Sequence, residues 1–215
     1  MNSLAPHTSK LFDQVASLEC IKPYFLVGGT ALALQIGTRL SEDLDFMNWK
    51  TQKIQKQEVD WVAIEKELKT IGVIEARDIW DFNHVEFLVS GVKFSFYNSL
   101  KSSPIAAPVF LKDNLRLANI EAIGAMKMEV MLRRSNFRDY YDIYAILQHG
   151  VDFKMLVDLS LKYSGYILTT KNLLAILTSS SRFIIDQGFE LLNPKYKVSP
   201  ADIEAYLKTK IKENF

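Results

Sequence analysis

The sequence predicts an α/β protein, of α+β type, with a sheet and flanking helices in its N-terminal half and a helical C-terminal half. Three observations predict it. Residues 24–47 read as an apolar strand, a Gly28-Gly29 pair, a short helix over residues 30–36 and a second apolar strand over residues 44–47. Residues 82–97 alternate apolar and polar side chains around Ser90-Gly91, the pattern of a β-hairpin. From Ile120 onward apolar residues recur at helical spacing. The Pro-containing connector over residues 102–108 is the expected seam, dividing the chain into residues 1–107 and 108–215.

Composition bounds the function. With 215 residues, 48% of them hydrophobic and 24% charged, the chain can bury one large core or a core with a helical annexe. A formal net charge of +1 excludes a global field that draws in nucleic acid, so an RNA partner needs a local patch. Cys20 is the single cysteine, which excludes an intramolecular disulfide, and its apolar neighbours mark it as a small buried thiol. The N-terminus lacks an apolar run of signal-peptide length and no later run is fit to span a bilayer. A cytoplasmic location and no membrane partner are therefore expected.

Taken in order, the first element is an amphipathic helix capped by Thr8 or Ser9, with Leu11, Phe12, Val15 and Leu18 on one face. The strand over residues 24–27 follows and runs into Gly28-Gly29, where missing Cβ atoms permit a sharp turn or a close approach. The helix after it leaves its first N–H groups without intrahelical partners, a seat for a phosphate. Asp43 and Asp45 then arrive on the second strand. Residues two apart on a strand share a face at roughly 7 Å, so both carboxylates project together while Leu44 and Phe46 face the other way. Two like charges side by side need a cation, and hard carboxylate oxygens next to a phosphate seat suit Mg²⁺.

A polar stretch over residues 48–56 leads to a helix with Trp61, Ile64, Leu68 and Ile71 inward, closed by Gly72. Lys50, Lys53, Lys56, Lys66 and Lys69 are either a basic rim or a solvated face, and the solvated face is the plainer reading. The hairpin register follows from its two-residue turn: Val89 opposes Val92, Phe87 opposes Phe94 and Glu86 opposes Ser95. Phe87, Val89, Val92, Phe94 and Phe96 form one face; His84, Glu86, Lys93, Ser95 and Tyr97 form the other. Residues 115–118 add a short edge strand.

The helical half opens with an almost wholly apolar helix over residues 120–134, hence a buried one. Lys127 interrupts it, and a buried ammonium costs several kcal/mol unless an anion compensates. Arg134, seven residues on, shares its face, and Arg138 joins them if the helix continues, making a cationic stripe. A lysine snorkelling to solvent is the competing reading. The next helix carries Asp139 and Asp142 in its first turns, with Tyr140, Ile143, Tyr144 and Leu147 inward. Helices over residues 153–163 and 172–185 follow, and a last one is capped by Ser199 with Pro200 and Asp202 in its first turn. Lys195, Lys197, Lys208, Lys210 and Lys212 are a solvated tail or a set of phosphate contacts.

The combination of strand, Gly-Gly-Thr, short helix and Asp-x-Asp strand resembles the signature of the polymerase-β-like nucleotidyltransferases. More narrowly, Gly-Gly-Thr-Ala-Leu-Ala-Leu over residues 28–34 with Arg-Leu-Ser-Glu-Asp-Leu-Asp-Phe over residues 39–46 resembles the AbiEii-type nucleotidyltransferase toxin family. Lys127 on one helix and Arg138-Asp139-Tyr140-Tyr141-Asp142 on the next are similar to that family's second block. The resemblance implies a polymerase-β-like sheet and transfer of a nucleotidyl group from an NTP with Mg²⁺ as cofactor. It implies Asp43 and Asp45 as metal ligands, with Gly28, Gly29 and Thr30 donating to phosphate oxygens. Lys127 would neutralise phosphate charge, Arg134, Arg138 and Asp139 would bind substrate, and Asp142 would act as base or orient Lys127. The implied setting is a type IV toxin–antitoxin system with an antitoxin partner and an RNA acceptor, the tRNA acceptor end among its targets. One departure stands out: Ser95 occupies the place of the superfamily's third carboxylate. Either Glu86 across the hairpin supplies the missing oxygen, or Glu86 pairs diagonally with Lys93. The competing function is a nucleotide- or RNA-binding module that kept the fold and lost the reaction.

Overall fold

The computed structural model describes residues 3–49 and 58–215. The chain divides into two compact units, Met1–Asn119 and Ile120–Phe215. The first unit opens with α1, Pro6–Ala16, which starts before the expected Thr8 or Ser9 cap. Proline has no N–H to leave unsatisfied, so it suits a helix's first turn. Thr8 instead lies buried inside the helix and donates its hydroxyl to the Glu42 carbonyl at 2.5 Å.

Strand β1, Phe25–Val27, passes directly into helix α2, Gly28–Ile36, so both glycines lie within the helix rather than before it. Gly37 ends α2 in the left-handed conformation, φ 58°, a helix stop that glycine accommodates without strain. Strand β2, Leu44–Trp49, runs antiparallel to β1. Helix α3, Trp61–Ile71, starts with the Asp60 side chain accepting from the Ala63 N–H at 3.1 Å. Gly72 follows in extended backbone, and its smallness serves packing: a Cβ there would meet Ser90 Oγ at 2.7 Å and Val89 Cγ1 at 2.8 Å.

Strand β3, Ile74–Asp81, is one that alternation does not announce. Nearly all its residues are exposed, so no apolar face was selected to mark it. It pairs with β4, His84–Val89, which forms the expected hairpin with β5, Val92–Ser99. The register is as expected, with Val89 opposite Val92, Phe87 opposite Phe94 and Glu86 opposite Ser95. Ser90 and Gly91 both take positive φ, 48° and 79°, the signature of a type I′ turn that matches the strand twist. Two further strands, β6, Val109–Lys112, and β7, Leu115–Leu117, complete a seven-stranded sheet of order β3-β4-β5-β2-β1-β7-β6.

This order corrects two expectations. Strand β7 is interior, hydrogen-bonded in parallel to β1, and β6 is the edge. The boundary between units accordingly follows Asn119 rather than Ala107, because the β6–β7 hairpin belongs to the sheet. Phe87, Val89, Val92, Phe94 and Phe96 are all buried, and Phe46 of β2 stacks on Phe96 with centroids 5.1 Å apart. The other face of β4, β5 and β2 carries His84, Glu86, Lys93, Ser95 and Asp45, together with Leu88 and Met47.

The second unit contains helices α4, Ile120–Val130; α5, Phe137–Gln148; α6, Phe153–Tyr163; α7, Thr170–Leu177; and α8, Pro200–Asn214. Helix α4 is buried on most sides, and Gly124 lets α6 approach: a Cβ there would lie 2.7 Å from Leu156 Cδ1. It stops at Val130, so Arg134 lies in the turn beyond it. Helix α7 stops at Leu177 rather than Ile185. Ile184 is drawn instead into a bridge with Asn136, donating to the Ser135 carbonyl at 2.7 Å and accepting from the Phe137 N–H at 2.8 Å. Helix α8 has the expected capping box between Ser199 and Asp202. Among the described residues no helix is long and apolar enough to cross a membrane.

Candidate active site

In the first unit the site is built where β1 becomes α2. Register places Val27, Asp45, Ser95, Glu86 and Asp78 in one row across β1, β2, β5, β4 and β3. Asp45 therefore stands beside the head of α2; Asp43 lies two residues earlier, just before β2 begins rather than on it, and its carbonyl accepts from the Thr30 hydroxyl. Both carboxylates are half-buried. Gly28 has φ 68°, and its missing Cβ is used: one placed there would lie 2.6 Å from Asp45 Oδ2. The carboxylate fills the space the glycine vacates.

Gly29 works in the same way for a cation. A Cβ on it would meet Arg39 Nη2 at 2.5 Å and Ser41 Oγ at 3.2 Å. Arg39 is buried and donates from Nη1 to the Leu40 carbonyl at 2.9 Å. Arg39 and Ser41 belong to the motif over residues 39–46, which by itself gives them no role. An arginine and a serine immediately before an Asp-x-Asp strand were the available signal. Thr30 is also reassigned. Its hydroxyl is buried, donates to the Asp43 carbonyl and lies 2.8 Å from Ser41 Oγ, so it fixes the approach to β2 rather than facing a phosphate.

The chemistry of two half-buried carboxylates, one on β2 and one just before it, near the first N–H groups of α2, fits one hard divalent cation such as Mg²⁺. A third carboxylate does not join them. Ser95 Oγ lies 3.3 Å from His84 Nε2. Glu86 Oε1 lies 3.6 Å from both His84 Nε2 and Lys93 Nζ, and it is two strands from Asp45, roughly 9–10 Å of sheet. The diagonal pair with Lys93 is thus the arrangement found, and Glu86 is not placed as a metal ligand. Among the described residues no three His, Cys, Asp or Glu side chains gather as a metal site. Burial depresses the His84 imidazole below its ordinary range, partly offset by Glu86. Trp80 stacks over the same imidazole and Tyr97 meets it edge-on.

The second unit has its own cluster. Lys127 Nζ lies 2.9 Å from Asp139 Oδ1 and 2.7 Å from Asp142 Oδ2. Arg134 forks onto Asp139, Nε to Oδ2 at 2.8 Å and Nη2 to Oδ1 at 3.1 Å. Asp139 and Asp142 are fully buried, three residues apart and hence on one side of α5. Burial alone would raise the Asp139 pKa, but the Lys127 and Arg134 charges outweigh it and hold the carboxyl at about 2. The anions that compensate Lys127 are therefore these two acids, which balance the stripe Lys127–Arg134. Arg138 is not part of it. Its backbone N–H and Nε both donate to Asp186, each at 3.0 Å, because α4 has ended and a new helix has begun between the two arginines.

The remaining cations are distributed. Lys50, Lys53 and Lys56 lie outside the described residues. Lys69 pairs with Glu65 at 2.6 Å. Lys197, Lys208 and Lys210 pair with Glu190, Glu204 and Glu213, and Lys195 lies over the Tyr196 ring, which is the solvated-face arrangement. Cys20 is half-buried, and burial with the Glu67 carboxylate beside it pushes the thiol up to about 12.

A mixed seven-stranded sheet with a helix springing from β1 and flanking helices is a nucleotidyltransferase-like fold. Residues 19–208 match the family described as nucleotidyl transferase AbiEii toxin, type IV TA system. The chain belongs to that family, an enzyme family of toxin nucleotidyltransferases. An uncharacterized protein of Aquifex aeolicus strain VF5 is 25% identical over 99% of this chain and 98% of its own length. The fold is similar to that of MenT4, a nucleotidyltransferase toxin of Mycobacterium tuberculosis H37Rv, with TM-score 0.62 and 18% identity over 95% of this chain and 82% of that one. JHP933 from Helicobacter pylori is similar with TM-score 0.51 and 18% identity, covering 98% of this chain and 94% of its own.

Proposed function

We propose that this protein transfers a nucleotidyl group from an NTP to a hydroxyl of RNA, with tRNA the acceptor to test first, in a divalent-cation-dependent reaction. The observation that carries the reading is the Asp43–Asp45 pair at the head of α2, with Asp45 seated in the space left by Gly28. A bound Mg²⁺ would supply Lewis-acid polarisation of the α-phosphoryl group and neutralise the triphosphate. The acceptor hydroxyl oxygen forms a bond to the α-phosphorus as its proton passes to solvent, the bond from the α-phosphorus to the α,β-bridging oxygen breaks, and pyrophosphate leaves with that oxygen and its charge.

The chain's own residues do the positioning. Asp43 and Asp45 orient the cation, Thr30 and Ser41 keep the lead into β2 in register, and the first N–H groups of α2 at Gly28 and Gly29 take phosphate oxygens. Within the second unit Lys127 is a preorganised positive charge, with Arg134 beside it on Asp139. Asp139 and Asp142 hold that ammonium in place; the 2.7 Å contact to Lys127 favours orientation over base chemistry for Asp142. Toxin families of this kind work against an antitoxin partner, and the cytoplasm is where NTPs and tRNA are met together.

Ser95 and its His84 partner favour a second reading, a binding module without turnover. One assay separates the two. Each α-labelled NTP is incubated with total RNA and Mg²⁺, with and without EDTA. Transfer predicts EDTA-sensitive label in RNA that disappears in Asp43→Asn/Asp45→Asn. Nucleotide binding with no label in RNA under any condition selects the binding module.

A further inference from the structure

The place beside Asp45 decides how many cations the centre can hold. Strand β5 runs parallel to β2, and its residue opposite Asp45 is Ser95. A neutral hydroxyl there adds no charge to the pair formed by Asp43 and Asp45. The hydroxyl is also engaged, at 3.3 Å from His84 Nε2, and the contacts continue from His84 to Glu86 and from Glu86 to Lys93, each at 3.6 Å. The nearest acid along that row is thus held by two cationic or cationisable partners on its own side of the sheet. No other His, Cys, Asp or Glu gathers with the two aspartates among the described residues. Residues 1–2 and 50–57, outside the description, contain none of these residue types.

We infer that this chain assembles a one-cation centre: Asp43 and Asp45 carry a single divalent ion together with the triphosphate, and the Ser95–His84 pair closes the place where a second ion would be held. The inference rests on the nucleotidyltransferase reading of this site and departs from the two-metal arrangement that suits paired oxygens in phosphoryl and nucleotidyl transfer. The reason is charge. Two divalent ions a few ångström apart repel strongly and need shared anionic ligands, and two carboxylates in place of three leave the second ion under-compensated. The aromatic rings of Trp80 and Tyr97 around His84 bring no oxygen anion to replace it.

The test counts ions directly. Mn²⁺ retained per folded chain is measured by equilibrium dialysis with electron paramagnetic resonance of the free ion, in the presence of saturating α,β-methylene analogues of each NTP. The expected result is one Mn²⁺ per chain, lost in Asp43→Asn/Asp45→Asn. Ser95→Asp combined with His84→Asn, which adds a carboxylate and removes the imidazole that could capture it, should raise the count to two. Two Mn²⁺ on the wild-type chain overturn the inference while leaving the site assignment standing. A count that stays at one in the folded double variant overturns the role given to Ser95 and His84. No retained Mn²⁺, or retention indifferent to Asp43→Asn/Asp45→Asn, overturns the site assignment itself and the inference with it.

Discussion

Two pairs of aspartates, one in each unit, differ in spacing and in surroundings. Asp43 lies just before β2, Asp45 is that strand's second residue, and both are half-buried. Asp139 and Asp142 are three apart on one side of a helix and fully buried, with Lys127 and Arg134 between 2.7 and 3.1 Å away. The first pair is the more open, half-buried where a divalent cation is proposed to bind. The second is closed, with Lys127 and Arg134 of its own unit against it.

The largest effect that could break this contrast is expected at Lys127. Sequence alone makes Lys127→Met look harmless, since methionine suits an apolar helix. With two fully buried carboxylates on its ammonium, the substitution should instead cost about 3–5 kcal/mol, the scale of breaking a buried pair from one side. Chemical denaturation measures it, and Lys127→Met/Asp142→Asn should recover part of the loss. An unchanged midpoint in Lys127→Met would make the second cluster as open as the first.

Acid should act on the closed pair next. Asp139 is held at about 2 in the folded chain, below the ~3.9 of an unfolded aspartate. Its contribution, on the order of 2 kcal/mol, is therefore fully present above about pH 4 and lost as the pH falls toward 2. Denaturation midpoints of the wild type and Asp139→Asn should converge over that window. Parallel curves down to pH 2 would contradict it.

Packing in the second unit should respond at a comparable or smaller scale. Gly124→Ala drives a Cβ to 2.7 Å from Leu156 Cδ1, and since that is the end of a flexible side chain the cost should be about 1 kcal/mol, at the low end of overpacking. Thermal unfolding of the variant beside Gly124→Ala/Leu156→Ala checks it, the second change restoring room. The smallest effect is expected at Glu86, whose 3.6 Å pairs lie on a half-exposed face. Glu86→Gln should cost less than about 1 kcal/mol and leave the Mn²⁺ count unchanged. A lost ion in Glu86→Gln would return that residue to the metal centre.

Much of this contrast was legible in the residues. The Gly28-Gly29 and Asp-x-Asp block, the hairpin register and the Ser199 cap follow from local rules, and the structure has them. Strand β3 was illegible because an edge strand exposed on both faces carries no alternation. The roles of Arg39 and Thr30 were illegible for a different reason: both depend on which atoms fill the space beside a glycine or under a strand, which spacing does not encode. The cationic stripe holds for Lys127 and Arg134, which both meet Asp139 of α5, and fails only at Arg138, because helix α4 stops at Val130. Periodicity showed that the lysine needed an anion. It could not show that the anion was already in the chain.

The central claim is that the open acid pair, and not the closed one, receives the metal–nucleotide complex. Thermal stability of the wild type and of Asp43→Asn/Asp45→Asn, each with Mg²⁺ alone and with Mg²⁺ and each NTP, tests it most directly. Ligand at a hundredfold its dissociation constant should stabilise the wild type by about 2.7 kcal/mol. The double variant, checked to be folded without ligand, should show no Mg²⁺-dependent gain from nucleotide. A gain of the same size in the folded double variant would contradict the account.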